Sequence, residues 1–145
     1  MLVFSLCLSA LLHSASSLHI SVDPGETLIA KALIHNNNLL TNGTIPPGEA
    51  ATLGALVFRQ EHGSPVVTIS GILSGLSPGK HGFHIHEMAD ITAGCSGAGG
   101  HYNPDGSTHG DITHVIRHVG DLGNIQAGNN GVARVNIQDT VIQLK

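Results

Sequence analysis

Three features of this 145-residue chain predict an all-β fold of the sandwich or barrel type. Short runs of alternating apolar and polar residues recur along it, about six in number, with turn signals between them. Glycine is abundant, at 19 residues, while aromatics make up 3% and charged residues 11%, a composition poor in helix formers. The length fits one domain with one core, and no helix, internal repeat or linker stands out.

The elements follow in order. Leu2 to Leu12 is an apolar run followed by small residues, which reads as an export leader over residues 1–17, cleaved near Ser16 or Ser17. No Lys or Arg precedes the run, so a buried first strand or helix is the alternative. The run is too short to span a bilayer, and no later segment does better. Residues 21–26 are a short polar lead-in, and 27–35 (TLIAKALIH) is the first strand of the domain. Residues 36–52 carry Asn-Gly and Pro-Pro-Gly and read as a loop. Within it, Asn42-Gly43-Thr44 is a glycosylation sequon, consistent with export. Strands at 53–60 and 66–73 flank the turn Glu61-His62-Gly63-Ser64-Pro65. Ser77-Pro78-Gly79 makes the next turn, before a strand at 81–87. Residues 94–120 form a long glycine-rich loop; loops of that length in compact domains are usually functional. Strands at 121–127 and 132–138 close a hairpin around Asn129-Asn130-Gly131.

A net charge of −4 argues against nucleic acid or an anionic membrane as the main partner. It does nothing to attract an anionic substrate either, so steering would be local to a site. Cys7 would leave with the leader, so Cys95 is the cysteine of the mature chain, either a free thiol or one half of an intermolecular bond. The chain reads as secreted, with no transmembrane segment.

Residues 81–121 hold seven of the eleven histidines. His84 and His86 lie two apart in a strand, so they share a face while Phe83 and Ile85 turn to the core. His101, His109 and His118 follow across the loop, and Asp121 comes three residues after His118. Imidazole suits zinc and copper, and three nitrogens with one carboxylate complete a tetrahedral zinc shell. The arrangement points to a metal site, and to two ions rather than one. His86-Glu87 opens an H-E-x-x-H pattern, but position 90 is Asp, which excludes a zincin.

GFHIHE, the run CSGAGGHYN from Cys95 to Asn103, the His109-Gly110 pair and RHVGDLGN ending at Asn124 occur in an order and spacing that resembles the Cu/Zn superoxide dismutases. The resemblance covers roughly residues 28–145, and a domain over 27–145 is expected, C-terminally incomplete. It implies a Greek-key β-barrel with about six of its eight strands present. It implies copper on His84, His86 and His101, and zinc on His101, His109, His118 and Asp121, with His101 bridging. The catalytic residues would be His84, His86 and His101, the cofactors copper and zinc, and the substrate superoxide; a homodimer is allowed. His81 matches a position that ties loops together. His62 and His114 match no ligand position and are expected in solvent. A fourth copper histidine, a substrate-guiding arginine with its channel loop, and the cysteine that pairs with Cys95 would fall beyond Lys145. Two functional classes stay open: a secreted superoxide dismutase of reduced activity, and a non-catalytic zinc- or copper-binding module.

Overall fold

Alternation at period two decides how the strands lie. In the computed structural model, which describes residues 5–8, 25–35, 52–88 and 97–144, the strands are β1 (Ser5–Leu8), β2 (Leu28–His35), β3 (Thr52–Gln60), β4 (Val67–Leu73), β5 (Gly79–Ile85), β6 (Asp121–Ala127) and β7 (Ala133–Asp139). Ala32 and Ile34 of β2, Leu56 and Phe58 of β3, Val67, Ile69 and Leu73 of β4, and Ala133 and Val135 of β7 point inward and are buried. Their sequence neighbours Lys31, Leu33, Arg59, Ser70, Arg134 and Asn136 are exposed. β2 to β7 coincide with the six predicted strands to within two residues at each end. Among the described residues there is no α-helix, as the composition predicts.

The seven strands form one sheet in the order β1-β5-β6-β7-β4-β3-β2. All pairings among β2 to β7 are antiparallel. β5, β6 and β7 follow one another, and β4 lies beside β7 instead of β5, which is the Greek-key arrangement. Ala32 from one side of the sheet and Phe83 from the other belong to a single core cluster, so the sheet is curled, as in a barrel. The short β4–β5 connector crosses the end of the β6–β7 hairpin, where Leu76 N donates to Gly131 O at 3.1 Å. Gly131 has φ +72°, and a Cβ there would sit 2.8 Å from Leu76 O, so this crossing requires glycine. Leu56, Ile69, Leu73, Phe83 and Leu122 are fully buried; each contributes about 1.5–3 kcal/mol of apolar transfer.

β1 was not among the six expected strands. Its residues fall in the segment read as a leader, for which a first strand was the alternative, and they pair parallel with Gly82–Ile85 of β5. Most of the 36–52 loop with its sequon at Asn42, the cleavage positions at Ser16 and Ser17, Asp90 and Cys95 lie outside the described residues.

Candidate metal centre

The centre sits where β5, β6 and the long loop meet. On β5, His81 and Phe83 turn inward and are buried, leaving Gly82 and His84 on the outer side. β6 brings Asp121 beside His84 by a register shift: Gly82 faces Asn124, but His84 faces Asp121. The extra residue lies on β6, where Gly123 adopts φ +78°. In an unbroken strand Asp121 would share the inward face of Ile125 and Ala127. The bulge reverses that parity, so Leu122 enters the core and Asp121 joins the side of His84. Sequence reasoning missed this device, although an isolated glycine inside a strand pattern is its usual signal.

Backbone bonds then knit the loop to the end of β5. Tyr102 N donates to Ile85 O (2.8 Å), Ile85 N to Gly120 O (2.9 Å) and Gly120 N to Tyr102 O (2.9 Å). A Cβ on Gly120 would lie 2.2 Å from Ile85 O, so the three strands of chain close up only around glycine. His101 precedes Tyr102 and forms an isolated bridge with His86, while His118 and Asp121 flank Gly120.

Six predicted ligands are thereby brought together. His101 is the hub: its ring centroid lies 4.0 Å from that of His84, 5.3 Å from His86, 5.3 Å from His109 and 5.7 Å from His118. Ligand atoms of His101, His109, His118 and Asp121 all lie within 4.8 Å of one another. Three of them are Nδ1 atoms facing the carboxylate, at 2.7 Å from His101, 3.0 Å from His109 and 3.4 Å from His118. A tetrahedron with metal–nitrogen bonds of about 2.0–2.1 Å has edges of roughly 3.4 Å, so a zinc ion needs little rearrangement here.

Hydrogen bonding sets the charge of this group. Asp121 is buried, which pushes its pKa up, but bonds from Gly110 N, His101 Nδ1 and His118 N outweigh burial and hold it at about 2. It is therefore a carboxylate at any ordinary pH. His84 is held down to about 4, first by burial and then by the nearby His101, so it offers a neutral imidazole.

Atoms left without partners bear on the predicted copper side. Buried side-chain nitrogens normally find hydrogen bonds, yet His84 Nδ1, His86 Nε2 and His118 Nδ1 are buried with none. The first two belong to the predicted copper set and the third to the zinc set. Nitrogen lone pairs of this kind fit a borderline cation, and among the described residues the carboxylate of the cluster is Asp121, in the predicted zinc set. The other histidines part company with the cluster. His81 is buried and its Nε2 donates to Ser77 O at 2.7 Å, tying β5 to the preceding turn; its Nδ1 is also unpartnered. His62 and His114 are exposed.

One supporting element was not foreseen. Arg117, next to the predicted ligand His118, is buried and ion-paired with Asp139 at the end of β7. Its Nη1 donates to the backbone oxygen of Asp121 at 2.8 Å, while Asp139 Oδ1 accepts from Val141 N and Ile142 N. The pair locks the zinc-side loop to the core across 22 residues of sequence.

Comparison with known proteins agrees with this geometry. Residues 52–145 match the family model for copper/zinc superoxide dismutase. The chain is 48% identical to an extracellular Cu-Zn superoxide dismutase of Onchocerca volvulus over 116 residues, covering 77% of this chain and 58% of that one. It is 44% identical over 133 residues to an extracellular Cu-Zn superoxide dismutase of Brugia pahangi, covering 92% of this chain and 60% of the relative. A Cu-Zn superoxide dismutase of Onchocerca volvulus is 53% identical over 91 residues, covering 63% of this chain and 58% of that one. The chain spans about three-fifths of the length of these curated relatives. With the barrel-like sheet, the imidazole hub and a four-residue group that could hold a metal ion in one place, the chain belongs to the copper/zinc superoxide dismutase family.

Proposed function

We propose that this chain acts as a secreted superoxide dismutase, converting two superoxide ions and two protons to oxygen and hydrogen peroxide. The carrying observation is the position of His101 between two unlike groups of donors. Its Nδ1 lies 2.7 Å from Asp121 Oδ1 with the predicted zinc set, while the rings of His84 and His86, which carry the unpartnered Nδ1 and Nε2, pack against it with centroids at 4.0 and 5.3 Å. When bound, copper supplies one-electron cycling between its oxidised and reduced states. His84 and His86 would hold it with the remaining nitrogen of His101, and His101, His109, His118 and Asp121 would hold zinc. His101 Nε2 is the atom that can take up a proton and return it, because Nδ1 is committed to the zinc side. Asp121 supplies the negative charge that offsets a cation there, and binding displaces the Nδ1 proton that His101 now shares with it.

In this reading residues 1–17 are an export leader, and the domain runs from residue 27 to 145. β1 lies within that leader, so its removal would free the outer edge of β5. The relatives' designation as extracellular and the Asn42 sequon support secretion. No helix among the described residues is long and apolar enough to cross a membrane. Association into a homodimer is part of the proposal, and sedimentation of the secreted chain decides it.

Superoxide consumption at matched copper content tests the activity. The metal-loaded chain should be active, below its longer relatives because only three imidazoles reach the copper position among the described residues. His101→Ala should lose most of that activity, and replacing His109 and His118 together with Ala should abolish zinc retention. The complete zinc group beside a three-histidine copper set favours one second reading, a non-catalytic metal-binding module. Stoichiometric zinc and copper without superoxide consumption would establish that reading instead.

A further inference from the structure

His86 presents the right nitrogen only if its tautomer is fixed, and the fixing group is a backbone carbonyl. His86 Nδ1 lies 3.0 Å from Gly99 O. A carbonyl can only accept, so Nδ1 carries the hydrogen, and in the neutral ring Nε2 is left with its lone pair. That Nε2 is buried and without a partner. The orientation of the Gly99 peptide therefore decides whether His86 is a ready ligand.

Glu87 holds that peptide through its side chain, and backbone bonds pin the residues on either side of it. Its backbone N donates to Gly100 O at 3.1 Å, its Oε1 accepts from Gly100 N at 3.1 Å, and Met88 N continues the pairing to Ala98 O at 3.0 Å. Gly99 has φ +72°, and a Cβ there would lie 2.7 Å from Glu87 Oε1 and 3.0 Å from its Cγ. The carboxylate thus closes over the glycine pair and leaves the Gly99 carbonyl aimed at His86. Glu87 is not placed to touch either metal position itself: its side-chain oxygen is spent on Gly100.

We propose that Glu87 is a positioning residue, holding the Gly99 carbonyl so that His86 keeps Nδ1–H and offers Nε2 to copper. The proposal rests on the copper reading above, and its test separates the two. The side chain is exposed and acts through a peptide, so the effect belongs at the lower end of what outer partners of metal ligands contribute, about tenfold in metal affinity.

The probes are metal-free chain and copper(II) and cobalt(II) ions, applied to native, Glu87→Ala and Glu87→Gln forms of the full chain. Long-range ¹H–¹⁵N spectra of the metal-free protein should show His86 as the Nδ1–H tautomer in the native chain and a tautomer mixture in Glu87→Ala. Glu87→Gln keeps an acceptor oxygen and should behave as native. Copper(II) affinity by chelator competition should fall about tenfold in Glu87→Ala only, with an altered copper spectrum. Cobalt(II) at the zinc group should be unchanged in all three, which a general loosening of the loop would not allow. An unchanged tautomer and copper affinity in Glu87→Ala overturn the proposal, as does an equal loss at both metals. A native chain that binds cobalt but no copper overturns the copper reading, and the metal-free spectra still decide whether Glu87 sets the tautomer.

Discussion

Replacing Asp139 with Ala should be among the most damaging single changes outside the apolar core, although residue 139 touches no metal ligand side chain. The guanidinium of Arg117 and the carboxylate of Asp139 are 3% and 2% exposed, so neither is screened by solvent. Removing one member of such a pair strands the other charge in the interior, at a cost of about 3–5 kcal/mol. Asp139 Oδ1 also accepts from Val141 N and Ile142 N at 2.8 and 2.7 Å, and those donors would be orphaned together. At roughly 4 °C per kcal/mol for a domain of this size, thermal unfolding of the metal-free chain should fall by about 12–20 °C. Asp139→Asn strands the same charge but keeps an oxygen for the two backbone donors, so its loss should lie at the lower end of that range, about 3 kcal/mol. Because Arg117 Nη1 holds the backbone oxygen of Asp121, zinc affinity should fall in the same order, Ala more than Asn. Differential scanning calorimetry of the three forms, with zinc competition alongside, measures both. A melting point for Asp139→Ala within about 3 °C of native would refute the assignment of a structural charge pair here.

Acidification of the metal-free chain should reveal two successive losses of stability. His84 titrates at about 4 in the folded chain against an ordinary 6.5, so the unfolded chain gains its proton first and stability falls between pH 6.5 and 4. Allowing for its partial solvent access, this loss is roughly 1–2 kcal/mol, and His84→Ala should flatten it in urea melts. Asp121, held at about 2 against 3.8, stabilises the fold above its unfolded value and loses that contribution between pH 4 and 2. Asp121→Asn should remove this second phase, worth roughly 2 kcal/mol by the same melts. Gly123→Ala forces a left-handed conformation on alanine and puts a Cβ 3.2 Å from Ile112 Cγ2; it should lose about 1–2 kcal/mol and weaken zinc, visible in calorimetry and metal competition. Gly120→Ala places a Cβ 2.2 Å from the backbone oxygen of Ile85, where no side chain can yield, so copper and zinc affinity should fall together. Retention of both metals at native affinity in that variant would show that the loop docks otherwise.

What was legible in the sequence had local causes. Six strands could be placed because inward residues such as Leu56, Phe58, Ile69 and Val135 alternate with outward ones, and because Asn-Gly and Pro-Gly mark the turns between them. The candidate ligands stood out for a different reason: histidine is rare, and its grouping over 81–121 has chemical meaning before any fold is known. Strand order was not legible in this way, since no alternation tells β4 to pair with β7 across the intervening chain; the resemblance supplied it. Nor was the partnership of Arg117 with Asp139, two charges 22 residues apart that no local pattern joins. Asp121 shows how the two levels join. Its place three residues after His118 marks it as a candidate ligand, but alternation alone would turn it toward the core with Ile125. Only the left-handed turn at Gly123, in a register set by the partner strand, brings it round to His84. The chemistry of the site is thus carried by residue type, and its geometry by single glycines whose role becomes visible only when the strands are paired.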